Sequence, residues 1–366
     1  MRPIWPEKTR NMPFRVNKRV AAILLLSFGV FPISSCSRVV YIVHAVNGHY
    51  RILNDSIPIQ EGLQADSLDA DQKDKLRLVG RVKDFGEREL GLKRTSNYDT
   101  VYLDSNRPPL YTISASPKDR LERITWWFPV VGKIPYLGFF DRQRAEVERE
   151  KLLQRDLDVV MGRAQAYSTL GWFRDPVTLN LLDGAIPDLV EVILHEMTHT
   201  TIYVAGQGEF NEGLANLVGK IGALQFLEHD YGPGHPLTRE AALSVEDERI
   251  FSRFLDELLE GLAELYRDAI GYSEKLTGRE RIFARAMEQF GHLKKDMNTD
   301  RYLPFGQQGL NNAYLLALGL YHRRFNLFET VYDQKGRSIK EMIPFFKELA
   351  KEQGNMIDKM RSRDLK

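Results

Sequence analysis

The sequence predicts an α+β protein that is predominantly helical, with a small β-sheet in its first half and a helical C-terminal part. Three observations lead to this prediction. Short β-prone runs occur between residues 98 and 128, an amphipathic segment covers residues 187–204, and the chain beyond Leu227 has helical periodicity almost throughout. A chain that combines β-prone runs with helical periodicity, and whose second half is mainly helical, is typical of the α+β class.

The N-terminus has the pattern of a secretory signal peptide. The basic residues Arg15, Lys18 and Arg19 precede a fourteen-residue apolar run, residues 20–33. This run is too short for a membrane-spanning helix of about 20 residues. The run ends in Ile33-Ser34-Ser35-Cys36, which resembles the bacterial lipobox, whose cysteine becomes the lipidated first residue of the mature protein. We therefore predict that residues 1–35 are a lipoprotein signal peptide.

Cys36 is the only cysteine of the chain, so it cannot form an internal disulfide, and lipidation gives its thiol a use. The alternative is a buried, unpaired cysteine behind an ordinary signal peptide. Ser37 follows where inner-membrane retention would require Asp, so the lipobox resemblance implies the outer membrane. The predicted location is the bacterial cell envelope, facing the periplasm, with membrane attachment through a lipid anchor at Cys36.

The charges of the chain are balanced, with 51 Lys and Arg against 50 Asp and Glu. This balance creates no global field, and nucleic acid is therefore not a predicted partner. Residues 36–366 are long enough for one large domain or two closely packed subdomains. Within it we expect a mixed α/β part at about residues 36–185 and a mainly helical part at 186–366.

The mixed part begins with a helix. The spacing of Leu78, Val82 and Phe85 predicts that residues 69 to about 92 are helical. Three β-prone runs separated by turn residues follow, at residues 101–103, 110–115 and 124–128. The sheet that they predict either offers an edge strand to an extended peptide or covers the core.

The most informative motif is His195-Glu196-Met197-Thr198-His199. If residues 187–204 are helical, His195 and His199 lie one turn apart on one face, and both imidazoles can reach one Zn²⁺ at about 2.0–2.1 Å. Glu196 lies about 100° round the helix, where it can take a proton from a water molecule. These residues predict two zinc ligands and a general base on a zincin-like HExxH core.

A third zinc ligand is predicted at Glu212. On one straight helix Glu212 would lie about 20 Å from the histidines, so the chain must turn, and Gly206-Gln207-Gly208 can supply the turn. Glu209 is a rival third ligand. Small residues such as Gly219 would let the second helix approach the first, and Asn216 could hydrogen-bond a histidine ligand.

The helical part carries an apolar stripe between residues 251 and 265, which we predict to be core rather than a partner surface. Later helices are predicted at residues 279–297, 310–331 and 339–354. The other histidines show no ligand spacing and are predicted to be structural or exposed. They are at positions 44, 49, 229, 235, 292 and 322.

Longer motifs occur in order along the chain, at residues 41–49, 127–136, 166–173, 210–212 and 311–313 with Tyr321. Together they resemble the bacterial putative aminopeptidase family, a gluzincin-type group of predicted zinc lipoproteins. The resemblance covers most of the mature chain. It implies one catalytic zinc at His195, His199 and Glu212, with Glu196 as the catalyst and a peptide as the substrate.

The reaction that this resemblance implies is metal-assisted hydrolysis of a peptide bond, in which Glu196 carries a proton from water to the leaving amine. A Tyr or His must stabilise the oxyanion. Tyr167 and Tyr321 lie in the shared motifs and are candidates, although each is equally credible as an aromatic core residue. Asn216 departs from the Asp that the wider thermolysin-like class often carries one turn after the third ligand, so polarisation of the ligands differs.

Aminopeptidase action rests on the family description, because the chain has no Gly-x-Met-x-Asn exopeptidase signature. Glu209 is the nearest acidic candidate for binding a free N-terminal ammonium; the alternative is an exposed carboxylate at a helix start. Two other functions stay open. One is a non-catalytic envelope lipoprotein whose zinc staples two helices, and the other is an amide hydrolase acting on cell-wall peptides. Three protein ligands beside Glu196 favour an enzyme, because they leave a position for water.

Overall fold

The computed structural model describes residues 48, 50–104, 110–128, 132–163 and 174–364. The predicted signal peptide at 1–35, Cys36 and Tyr167 lie outside these residues. The described helices are α1 (Ile59–Gly62), α2 (Ala70–Arg88), α3 (Arg142–Leu153), α4 (Leu179–Leu182), α5 (Ile186–Thr201), α6 (Gly208–Tyr231), α7 (Pro236–Arg267), α8 (Tyr272–Leu293), α9 (Asn312–His322), α10 (Phe325–Gln334), α11 (Ile339–Leu349) and α12 (Met356–Asp364). The described strands are β1 (Ile57–Pro58), β2 (Thr100–Tyr102), β3 (Tyr111–Pro117), β4 (Trp126–Phe128), β5 (Gly132–Ile134), β6 (Leu137–Phe139), β7 (Leu157–Arg163) and β8 (Val177–Thr178). The α+β, predominantly helical class is confirmed.

The described strands form three small sheets, whereas the sequence predicts one. β2 lies between β1 and β8, β3 lies between β6 and β7, and β4 pairs with β5. The three predicted runs match β2, β3 and β4. β7 has no counterpart in the prediction, because its side chains do not alternate between buried and exposed and it is held by antiparallel pairing to the distant β3.

The main hydrophobic core lies between α2, α5, α6 and the last helices, α10 to α12. α2 confirms the helix predicted at residues 69 to about 92. Asp69 caps it by accepting a hydrogen bond from the backbone N–H of Gln72 at 2.8 Å, while Leu78 and Val82 are fully buried. The described residues from Gly48 onward form one compact unit.

A second core lies between α7, α8 and α9, and the apolar stripe of α7 fills it. Phe251, Leu255 and Leu262 are buried there, as predicted. No helix of the described residues is both long and apolar enough to cross a membrane.

The single helix predicted at residues 310–331 is wrong, since α9 and α10 are separate. Arg324 has a left-handed backbone with φ 65°, and Asp256 on α7 holds the break. Asp256 accepts hydrogen bonds from Arg323 Nε at 3.0 Å and from the Arg324 backbone N–H at 3.1 Å. Because of this break, α9 ends at Tyr321 and His322, beside the site described next.

Candidate metal centre

α5 carries the two histidines of the pentapeptide. It begins at Ile186, has Pro187 in its first turn and ends at Thr201, three residues earlier than predicted. Leu189, Ile193 and Met197 are buried, as their spacing predicts. The opposite side of the helix is therefore free to present His195 and His199 one turn apart.

The turn after α5 brings the next helix back against it. Gly206 has φ +77°, which favours glycine, and α6 begins two residues later. Asn211 fixes this turn from α6: its side chain accepts from the Val204 N–H at 2.9 Å and donates to the Val204 carbonyl at 2.8 Å. The predicted turn is confirmed. The position of Asn211 in the sequence does not predict the two hydrogen bonds by which its side chain holds the turn.

Gly219 sets the distance between α5 and α6. A Cβ atom at this position would lie 2.9 Å from the Glu191 carbonyl oxygen and 3.3 Å from His195 Cβ. A larger residue would push the helices apart. The close approach brings Glu212, on the same side of α6, to the histidines, as the small residues predict.

Three side-chain atoms converge between these helices. The Nε2 atoms of His195 and His199 are 3.1 Å apart, and Glu212 Oε2 lies 3.2 Å from the first and 3.4 Å from the second. Ligands bound at 2.0–2.1 Å by a tetrahedral Zn²⁺ lie roughly 3.3–3.4 Å from one another. The three donors thus have the spacing and the chemistry of a zinc ligand set.

Glu196 lies at the edge of this cluster. One of its carboxylate oxygens and the ring nitrogens of His195 and His199 all lie within 4.8 Å of one another. Glu212 is closer to both rings, so it is the better third donor. Glu196 Oε2 is buried and has no hydrogen-bond partner among the described residues. A buried carboxylate oxygen without a partner is costly, and it is available to a water molecule or a substrate.

The charges of the cluster reinforce one another. Burial disfavours the charged form of Glu212, but His199 and His195 outweigh burial and lower the pKa of this carboxyl well below its usual range. Burial alone would lower the pKa of His199, yet attraction to Glu212 raises it. The cluster therefore favours the ionised form of Glu212, which is the form of a carboxylate that binds a metal ion.

Tyr321, one of the two tyrosines predicted as candidates for stabilising the oxyanion, lies near this cluster. Its ring centroid is 6.3 Å from that of His195, and it is 40% exposed, so it is not a buried core residue. The charge of Glu212, together with partial burial, raises the pKa of Tyr321 well above its ordinary value. Its hydroxyl therefore keeps its proton and can donate a hydrogen bond.

Glu209 is not part of the cluster. Its carboxylate is held by two arginines, with Arg123 at 3.2 Å and Arg324 at 2.6 Å. Burial opposes its charge, but the two arginines lower its pKa. Glu209 is thus a partly buried ion-pair partner, and Glu212 rather than Glu209 meets the histidines.

Asn216 also faces a different partner from the one predicted. Its Nδ2 donates to Glu248 on α7 at 3.1 Å, and His199 Nδ1 is buried with no partner among the described residues. The sequence did not indicate that Glu248 lies near the site. It also did not indicate that the Glu248 carboxylate lies 2.9 Å from His322 Nδ1. No local signal identifies this pair, because 74 residues separate its members.

The cluster opens into a cleft of about 1270 Å³. Thr112 and Ser114 of β3 and Tyr136 line it together with the three converging side chains and His322. β3 pairs with β7 along its whole length but with β6 only at its first three residues, Tyr111–Ile113. It forms part of the wall of the cleft.

A family model described as a putative aminopeptidase matches residues 40–360. No curated protein matches the chain, and no solved structure matches it.

Proposed function

Because the chain belongs to the putative aminopeptidase family, we propose that it is a zinc-dependent peptidase of the bacterial cell envelope with a zincin-like HExxH core. The observation that carries this proposal is the convergence of His195, His199 and Glu212 within 3.4 Å. Glu196 lies beside them, and its buried oxygen Oε2 has no hydrogen-bond partner among the described residues. Together they supply three ligands and a base.

Each residue has a defined part in the reaction. Zn²⁺, when bound, supplies an electrophile that acidifies water and polarises the scissile carbonyl. His195, His199 and Glu212 would hold the ion. Glu196 accepts a proton from the attacking water and returns it to the leaving amine, which requires a carboxylate free of other partners.

Tyr321 completes the proposed site. Its hydroxyl donates a hydrogen bond to the carbonyl oxygen of the substrate as negative charge develops there. One such donor contributes about 2.7–4 kcal/mol in other acyl-transfer enzymes. The raised pKa of Tyr321 supports this part, because the donor stays protonated near neutral pH.

A zinc assay combined with a peptide-library digest tests the proposal. The purified full-length protein should contain zinc and cleave peptides, and a chelator should stop cleavage. A library that includes crosslinked cell-wall peptides also reports whether those amides are substrates. Zinc without cleavage of any member would instead favour the non-catalytic lipoprotein.

Aminopeptidase action predicts that a peptide with a free N-terminus is cleaved in preference to its acetylated form. We expect Glu209→Gln to leave this preference unchanged, because Arg123 and Arg324 already occupy the carboxylate. The substitution should lower the melting temperature instead. Cleavage rates of the two peptides and thermal unfolding of both proteins measure this.

Glu329→Gln is the matched control, because Glu329 forms an ion pair with Arg249 at 2.6 Å in another part of the molecule. It should destabilise the protein in the same way and keep the preference for a free N-terminus. Loss of that preference in Glu209→Gln alone would restore Glu209 as the ammonium site. Equal cleavage of the free and acetylated peptides by the wild type, with internal bonds cut, would identify an endopeptidase.

Attachment to the envelope is proposed to depend on Cys36. Cys36→Ser keeps the apolar run at residues 20–33 but removes the thiol that accepts the lipid. We expect the variant to stay unprocessed or to appear in the soluble envelope fraction. Fractionation and metabolic labelling with a fatty acid measure this, with Ser35→Ala as a control that keeps the cysteine. Normal processing and unchanged membrane fractionation of Cys36→Ser would exclude Cys36 as the anchor.

A further inference from the structure

Glu248 is a fully buried carboxylate near the centre of α7, with 0% exposure. Four donors from other parts of the chain surround it. They are Asn216 Nδ2 at 3.1 Å, His322 Nδ1 at 2.9 Å, Lys220 Nζ at 3.3 Å and the hydroxyl of Tyr302. Because a carboxylate costs much energy to bury without partners, these contacts fix its position strongly.

The state of Glu248 determines the state of His322. Burial opposes the charge of Glu248, but His322 and Lys220 lower its pKa well below its usual range, so the carboxylate is ionised. An ionised carboxylate only accepts hydrogen bonds. The Nδ1 atom of His322 must therefore carry a proton, and the tautomer of the ring is fixed.

The His322 ring is also held by aromatic contacts. Phe251 and Tyr302 each meet it edge to face, with ring centroids 5.5 Å away. Its side chain is 20% exposed and lines the cleft. Since Nδ1 faces the buried carboxylate, the outer edge of the ring, with Nε2, is the edge that the cleft can reach.

His322 lies next to the proposed metal centre. The preceding residue, Tyr321, has its ring centroid 6.3 Å from that of His195 and 6.5 Å from that of His322. The break after α9 leaves both side chains at the end of that helix. A peptide extending from the metal along this wall would pass Tyr321 and then His322.

We propose that His322 is a substrate-contacting residue, whose Nε2 hydrogen-bonds the main chain of a peptide bound in the cleft, and that Glu248 is its positioning residue. This inference rests on the proposed peptidase function. Nε2 accepts a hydrogen bond from a peptide N–H while the ring is neutral and donates one to a peptide carbonyl when the ring is protonated.

A purely structural role explains less. Glu248 already receives hydrogen bonds or an ion pair from Asn216, Tyr302 and Lys220, so it does not need His322 for partners. Lys220 supplies a compensating charge and is itself buried, with 2% exposure. What His322 adds is an oriented polar atom on the wall of the cleft.

The first test is peptide binding without turnover. The probe is the peptide that the wild type cleaves best in the library digest, and its affinity is measured on zinc-loaded Glu196→Gln protein. Adding His322→Phe, which keeps an aromatic ring of similar size, should weaken binding about 10- to 100-fold. Zinc content should not change. Unchanged affinity would overturn the proposal.

Two control variants separate this effect from general damage. His292→Phe makes the same replacement at an exposed histidine. Asp247→Asn neutralises the neighbouring buried carboxylate, which accepts hydrogen bonds from the backbone of Asn298 at 2.8 Å and Thr299 at 2.7 Å. Both should bind the probe as the parent does. A loss in Asp247→Asn equal to that in His322→Phe would indicate general damage and count against the proposal.

The second test reads the positioning role directly. Nitrogen NMR of protein labelled in its histidine rings should show the His322 proton on Nδ1, and Glu248→Gln should abolish that preference. The combined Glu248→Gln and His322→Phe variant should bind the probe no more weakly than His322→Phe, because the two residues act as a unit. A wild-type proton on Nε2 alone, or additive losses, would overturn the pairing. If the wild type cleaves no peptide, the proposed function fails, while the NMR result still decides the state of His322.

Discussion

Replacing Glu196 by glutamine should leave zinc bound and lower kcat for peptide hydrolysis by about 10²- to 10⁴-fold. Glutamine has nearly the same shape but cannot accept a proton from water. One carboxylate oxygen of Glu196, Oε2, is buried and has no partner among the described residues, so the substitution breaks no described hydrogen bond at that atom. Elemental analysis and steady-state kinetics on the same preparation measure both parts of this prediction.

Glu228→Gln is the matched control, since it makes the same chemical change at an exposed glutamate on α6. It should retain full activity and full zinc. Wild-type turnover in Glu196→Gln would remove Glu196 from the mechanism. Loss of zinc from this variant would instead mean that Glu196 is a ligand. Its carboxylate is close enough for this outcome, because one of its oxygens lies within 4.8 Å of a ring nitrogen of each histidine.

The second large effect is expected at His199. His199→Ala removes a donor that lies 3.1 Å from His195 Nε2 and 3.4 Å from Glu212 Oε2. Two donors hold zinc far more weakly than three. We expect the zinc content to fall from near-stoichiometric to background after dialysis, and peptide hydrolysis to fall with it.

The fold must be checked in parallel, because His199 is only 3% exposed and its loss leaves a small cavity. Circular dichroism should show an intact helical protein. His292→Ala, at an exposed position, controls for removal of an imidazole and should keep its zinc. Full zinc occupancy in folded His199→Ala would contradict the ligand assignment.

Local patterns were sufficient to predict the helix that carries the two histidines. The spacing of His195 and His199 places both on one face of the helix. The buried stripe at Leu189, Ile193 and Met197 lies on the opposite face, which packs against the core. The turn at Gly206 and the close approach at Gly219 follow from residue size and backbone freedom. These features depend on neighbours within a few turns, so a single sequence contains them.

Other features had no local signal. β7 forms by pairing with β3, more than forty residues away in places, and the helix expected at 310–331 breaks because Asp256 binds Arg323 and the Arg324 backbone. In the sequence nothing indicates a partner for the Glu209 carboxylate, whereas in the structure it forms ion pairs with Arg123 and Arg324. In each case the deciding partner lies on another element.

The sequence by itself therefore determined that His195 and His199 share one helical face with Glu196 beside it, that the chain must turn after this helix, and that a glutamate of the next helix returns to them. Only the tertiary structure decided that Asn216 faces Glu248, that His322 shares this carboxylate, and that the break after α9 leaves Tyr321 beside His195. The physical reason is range. Helical periodicity is set by bonds between near neighbours, whereas a buried carboxylate takes its partners from wherever the packed chain brings donors within about 3 Å.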